Sequence, residues 1–195
     1  MTANVTLPAP NVLTDAGFLL FAPLGTAEPA NTVAGGLFTD PWPIAWIPLG
    51  RTSSGTKISD NATSSDLESA EDYMPLDSRT TKRVVTASFD LLTFTASNLA
   101  RALNNAVKTV TGATVTSLTQ VDAPDPQAET AFMLGYESLD STVRWIGRTC
   151  RNSGDLSVQF AKAPNMAMIP FTANVVKGVS TTPAYSWFFA GDGRG

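Results

Sequence analysis

The segment Gly50-Arg-Thr-Ser-Ser-Gly55-Thr56-Lys57 comes close to a phosphate-binding loop. In such a loop a lysine directly after the second glycine reaches the phosphates, and the next hydroxyl holds magnesium. Here Thr56 separates Gly55 from Lys57, and the following Ile-Ser-Asp-Asn does not open a helix whose N-terminus would face an anion. An ordinary glycine-rich turn is therefore expected. Cys150 lies between Arg148 and Arg151, and flanking cations lower a thiol's pKa. With no base to assist it, a packed, inert thiol is the simpler expectation. The acidic set Asp66, Glu68, Glu71 and Asp72 lacks the Asp-x-Asp-x-Asp-Gly spacing that folds carboxylates around calcium, and reads as a solvated acidic loop. A carboxylate pair for glycoside hydrolysis stays open, because the separation of such a pair is a property of the fold. Trp42, Trp46, Trp145 and Trp187 suit a sugar-stacking platform or a protein surface, although such residues more often anchor cores or interfaces.

The chain contains no histidine, which removes the commonest general base, the Ser/His and Cys/His nucleophile pairs and every His-containing metal site. Its single cysteine excludes an internal disulfide and a cysteine metal cluster. No metal or cofactor is expected. Of 195 residues, 13 are Lys or Arg and 17 Asp or Glu, a net charge of −4. A free-standing grip on nucleic-acid phosphates is thus disfavoured. Hydrophobic residues make up 43% and charged residues 15%, so a core can form while much uncharged Thr, Ser and Ala surface is left over, as suits self-association. The N-terminus lacks the basic and apolar regions of a secretion signal, and the longest apolar run, Phe18 to Ala22, is too short to span a bilayer. The expectation is a protein kept in a cytoplasm without membrane insertion.

The elements that must position any site read mainly as strands. Pro8, Pro10, Pro23, Pro29, Pro41, Pro43 and Pro48 prevent long helices near the N-terminus. There Phe18-Leu-Leu-Phe-Ala22 and Ile44-Ala-Trp-Ile47 are the apolar pieces available to a sheet. Residues 50–80 are polar and predict an exposed extended loop, a candidate contact element. From Thr81 to Leu92 the pattern alternates, with Arg83, Val85, Ala87, Phe89 and Leu91 on one face and Lys82, Val84, Thr86, Ser88 and Asp90 on the other. Thr95 offers an N-cap to an amphipathic helix burying Ala96, Leu99, Ala100, Leu103 and Val107, with Asn98 on the opposite face. The second half predicts strands over Ala131 to Tyr136, Thr142 to Arg151, Leu156 to Lys162, Met166 to Val176 and Tyr185 to Ala190, with Asn152 to Asp155 as a hairpin turn. Pro170 should mark an edge or a bulge. Eight or nine short antiparallel strands and one flanking α-helix fit a β-sandwich or open barrel. The chain divides into an N-terminal arm, residues 1–16, a single domain, 17–190, and a frayed tail, 191–195.

The ordered set Phe18-Leu-Leu-Phe-Ala-Pro-Leu-Gly-Thr-Ala-Glu-Pro29, Trp46-Ile-Pro-Leu-Gly50 and Ser54-Gly-Thr-Lys-Ile-Ser59 resembles the opening of the major tail (tail tube) proteins of long-tailed bacteriophages. The stretch Arg83 to Leu103, the segment Gly154 to Lys162 and the segment Ala167 to Ala173 are similar to the same family's long strand, capped helix and penultimate hairpin. The resemblance covers most of residues 17–176. It implies a virion structural subunit without catalytic residues, assembled in the host cytoplasm as six-membered rings that stack into a hollow conduit for the genome. Its implied partners are further copies of itself, the tape measure, tail-tip and terminator proteins, and passing DNA that is not specifically bound. On this reading Thr86, Ser88 and Asp90 line the channel or meet a neighbour. The 50–80 excursion makes the ring-to-ring contact, with Asp66, Glu68, Glu71 and Asp72 facing Arg79, Lys82 or Arg83 of an adjacent subunit. A tube subunit of a related secretion or injection system is one alternative, and a monomeric carbohydrate-binding β-sandwich is another.

Overall fold

The structure is a computed structural model, and it describes residues 17–67, 77–103, 108–112, 118–122, 130–154, 156, 158, 168–177 and 181–191. The predicted arm, 1–16, and the end of the tail, 192–195, lie outside the described residues. The strands are β1 (Gly17–Pro23), β2 (Val33–Ala34), β3 (Leu37–Phe38), β4 (Ile47–Gly50), β5 (Thr52–Leu67) and β6 (Asp77–Leu91), followed by helix α1 (Ala96–Ala102). Then come β7 (Lys108–Thr111), β8 (Leu118–Val121), β9 (Phe132–Ser138), β10 (Val143–Asn152), β11 (Ile169–Val175) and β12 (Tyr185–Phe189).

Eight strands form one antiparallel sheet in the order β4-β1-β9-β10-β11-β6-β5, with β12 pairing to β10. β10 is the pivot. Its first half, Val143 to Gly147, pairs with β12, and its last residues, Cys150 to Asn152, pair with β11. The register against β9 slips between Gly147 and Cys150, the kind of irregularity that bends and twists a strand. The sheet can therefore curl, and aromatic rings meet across the fold. Phe21 stacks on Phe132 at 5.0 Å, Phe132 meets the edge of Phe171 at 5.9 Å, and Phe171 stacks on Phe89 at 4.9 Å. Around this column Leu19, Leu49, Val85, Ala87, Leu91, Leu134, Trp145, Ile169 and Ala173 close the core. The mainly antiparallel β class with one helix is thus the observed one among the described residues.

The alternation over 83–91 is realised. Val85, Ala87, Phe89 and Leu91 are buried, while Val84, Thr86, Ser88 and Asp90 are half-buried on the other face. Thr95 caps α1 through its side-chain oxygen, which accepts from the Asn98 backbone N–H. The helix face differs from expectation. Asn98 is buried, and its amide donates to the carbonyl oxygens of Leu49 at 2.8 Å and Thr93 at 3.0 Å. The buried Leu49 carbonyl needs a donor, and this requirement outweighs the side chain's polarity. Residues 104–107, the rest of the expected helix, lie outside the described residues.

The 50–80 region is the largest departure from the sequence reading. It is not an extended loop but most of a long hairpin, with β5 and β6 paired from Thr52↔Leu91 to Leu67↔Asp77. Its outer part is wet on both faces, so no apolar alternation betrays it, although its many Thr residues favour strands. The expected Leu156 to Lys162 strand is not seen at Leu156 or Val158, and its remaining residues lie outside the described ones. Pro170 pairs only with Asp90 of β6 among the described residues, because β10 reaches β11 only from Ala173 to Val175. The missing N–H thus falls where β11 is locally an edge, as expected.

Candidate functional site

The near phosphate loop is a bulged strand start. Gly50 and Gly55 adopt positive φ of 99° and 81°, and the β5–β6 register slips between Thr52 and Thr56. A bulge in a sheet presents no helix N-terminus to a phosphate. Cys150 is fully buried, and burial pushes its thiol up to about 12. At pH 8 only about one such thiol in ten thousand is ionised. Iodoacetamide is therefore expected to leave native Cys150 unlabelled over hours and to label it fully in urea. Equal rates in the two states would contradict the packing.

The tryptophans form two separate pairs rather than one platform. Trp42 and Trp46 meet edge-on at 4.7 Å, and Trp145 and Trp187 lie tilted at 6.3 Å. Trp46 is buried and donates to the Ala27 carbonyl at 2.8 Å. It belongs to a second apolar cluster with Leu20, Ala22, Met133 and Ile146, on the face of the sheet opposite the main core. Residues 24–46 cover that cluster as a strap, which two arginines of β10 hold down. The Arg144 guanidinium donates to Glu137 at 3.0 Å, to the Asp40 carbonyl at 2.6 Å and to Asn31 at 3.3 Å, and it lies over the Phe38 ring at 4.6 Å. Trp42 donates from its indole N–H to the same Glu137 carboxylate. Arg148 grips Glu28 with two bonds of 2.6 and 2.9 Å and also reaches Ser186 at 2.8 Å. At Gly135 an added Cβ would stand 2.6 Å from the Trp42 ring, so glycine lets this lid lie flat. Sequence reasoning missed the clamp. Its one signal was Arg144 and Arg148, set among the apolar residues of the first half of β10.

At the opposite end of the sheet, paired residues of β5, β6 and β11 fall in common rows: Lys57, Ser88 and Thr172 in one, Ser59, Thr86 and Asn174 in the next, then Asp90 with Pro170. Directly paired residues share a face, and on this one Lys57 is exposed, the others are half-buried, and Gly154 lies against Thr172. Thr86 donates to the Asn174 side-chain oxygen at 3.1 Å. A groove of about 430 Å³ runs over it, lined in part by Gly55, Lys57, Ser88, Asp90 and Thr172. Thr86, Ser88 and Asp90 are therefore brought together on one polar face of low charge.

Beyond Val85, where β11 ends, β5 and β6 continue as a two-stranded ribbon. Every described side chain from Asn61 to Ser65 and from Asp77 to Arg83 is exposed. Thr81 is an extra residue between the Thr63↔Lys82 and Ser64↔Thr80 pairs and donates from its hydroxyl to the Thr63 carbonyl, a bulge that re-aims the outer ribbon. Arg83 pairs with Asp60 at 2.8 Å and Arg79 with Asp77 at 3.3 Å, so both expected contact arginines already have acidic partners within the chain. Lys82 is exposed beside them, and Asp66 sits opposite Ser78. Glu68, Glu71 and Asp72 lie outside the described residues. At the ribbon's base the Tyr185 hydroxyl donates to Asp60 and, with Arg83 behind it, holds that carboxyl below the usual range. This tie is present above the ordinary carboxyl range and is lost as pH falls through the lowered value.

A polar sheet face, a projecting ribbon and a core closed by a curled sheet describe a building block. A family profile described as phage tail tube protein matches residues 9–191, nearly the whole chain. The chain belongs to the phage tail tube protein family. A search of curated proteins finds no match. Membership gives this tail tube protein a structural role in a virion, and assembly with itself and with other tail components. No described helix is long and apolar enough to cross a membrane.

Proposed function

We propose that this tail tube protein forms six-membered rings stacked into the hollow conduit through which the phage genome is delivered, and that it does so without catalytic activity of its own. The polar face of β5, β6 and β11 carries the reading. A wall that DNA slides along must offer few cations for phosphate to grip, and Thr86, Ser88, Thr172 and Asn174 supply uncharged hydroxyls and amides with Asp90 among them. Six copies of net charge −4 give a ring of −24, a field that keeps a polyanion from adhering. Thr86, Ser88 and Asp90 accordingly line the channel. The β5–β6 ribbon makes the ring-to-ring contact, its Asp66, Glu68, Glu71 and Asp72 meeting Arg79, Lys82 or Arg83 of the adjacent ring. Such head-to-tail stacking needs a protruding polar element that fits the next ring. The protein's further partners are the tape measure, tail-tip and terminator proteins. Assembly takes place in the host cytoplasm.

A cryo-EM map of assembled tubes tests the orientation. Ser88 and Asp90 are expected on the lumen wall, and Asp90→Lys, together with the existing Lys57, is expected to make tubes retain added DNA at low salt. Finding these side chains packed inside a subunit, or on the outer wall, would overturn the assignment.

A further inference from the structure

Among the described residues β12 is an edge strand with none of the usual protection. Its sequence, Tyr-Ser-Trp-Phe-Phe, carries no charge, proline or glycine, and an exposed, uncharged aromatic edge invites another strand to pair with it. Its ladder to β10 occupies only one side. The Ala190 N–H donates to the Thr142 carbonyl, and the Arg148 N–H to the Ala184 carbonyl. By the alternation of an antiparallel ladder, even-numbered residues of β12 then bond to β10, and Tyr185, Trp187 and Phe189 turn their backbone groups outward. The Trp187 and Phe189 rings stack at 6.3 Å and remain 42% and 54% exposed.

The same chain carries a second incomplete element. Among the described residues the outer ribbon of β5 and β6 has no third strand, and a lone two-stranded hairpin is marginal in water. Among them β6 likewise has an unpaired edge from Asp77 to Val84. That stretch bears Arg79, Lys82 and Arg83, whose long cationic side chains suit the faces of indole and phenyl rings. The fold already uses this contact internally, with Arg144 over Phe38 and Arg101 over Phe21 at 5.3 Å. A chain's own ribbon, although tied to β12 at its base through Asp60 and Tyr185, leaves Trp187 and Phe189 uncovered.

We propose that the outer edge of β12 is the receiving site for the ribbon of a second copy, the free β6 edge adding as a strand beside Tyr185, Trp187 and Phe189 and its cationic side chains covering the two exposed rings. This rests on the reading of the ribbon as the ring-to-ring element and names the surface on which it docks. The contact is heterologous, so each copy donates a ribbon and receives one.

A complementation experiment separates the two claims. Phe189→Lys places a charge on the receiving edge and leaves the ribbon whole. Replacing residues 63–82 by Asn-Gly joins the directly paired Ala62 and Arg83 through a two-residue turn, which removes the ribbon and leaves β12 whole. Each variant's fold is checked by its thermal transition, and Arg79→Glu with Lys82→Glu serves as a second ribbon variant that leaves the hairpin intact. The expectation is that wild type forms tubes, each variant alone stops at single six-membered rings by analytical ultracentrifugation, and a mixture of the two forms paired rings and nothing larger. Tubes from Phe189→Lys at the wild-type yield would overturn β12 as the receiver while leaving the tube reading intact. Single rings only in the mixture would overturn the ribbon as its occupant. Wild type that stays monomeric at millimolar concentration would overturn both.

Discussion

Arg144→Ala is expected to destabilise the protein by about 3–5 kcal/mol, measured by urea unfolding at pH 7. Arg144 and Glu137 stand directly opposite on β10 and β9 and are buried, Arg144 at 2% exposure. Removing the guanidinium leaves the carboxylate among Trp42, Phe38 and the strap with only the Trp42 indole N–H as a donor, and it leaves the Asp40 carbonyl unpaired. Arg144→Lys is expected to recover little, because a single ammonium cannot serve Glu137, Asp40 and Asn31 together. By contrast, Arg144→Met with Glu137→Leu should regain most of the loss, since an apolar pair leaves no buried charge unanswered. A single substitution costing under about 1 kcal/mol would show that the strap is held by apolar contact alone.

The second large effect is at Phe171. It is 2% exposed and stands between the Phe89 ring, stacked at 10°, and the edge of Phe132. Its ring thus joins β6 and β9 across the core. Phe171→Ala is expected to cost about 3–5 kcal/mol by the same measurement. Thr172→Ala, one residue along on the polar face, should stay within about 0.5 kcal/mol. If both substitutions cost the same, the division of β11 into a core face and an open face would be wrong. The pair is informative for assembly as well, because Thr172→Ala should leave tube formation untouched while Phe171→Ala lowers the amount of subunit available for it.

Much of the fold was legible where one face is dry and the other wet. Residues 83–91 alternate because β6 covers a core there, and the runs at 132–136, 143–147 and 185–189 are mainly apolar because they pack on both sides or end on a cluster. Where that asymmetry fails, so does the reading. The outer ribbon meets solvent on both faces, so its polarity looked like a loop, and β7 and β8 hid in a Thr-rich connection for the same reason. Asn98 was placed outward because a helix pattern weighs side-chain polarity and cannot see the two carbonyls of Leu49 and Thr93 waiting beneath it. The clamp was illegible for a related cause. Arg144 in an apolar strand is a visible anomaly, yet Asn31 and Asp40 are more than a hundred residues away in the chain, and only the folded sheet brings them to it.

Electron microscopy of the purified protein, fresh and after days at high concentration, tests the central claim most directly. Averaged images are expected to show hollow six-fold rings and tubes, with lengthening that depends on the β5–β6 ribbon. A protein that stays monomeric at millimolar concentration, without rings of any symmetry, would contradict the claim that these surfaces are built for a stacked, self-assembling tube.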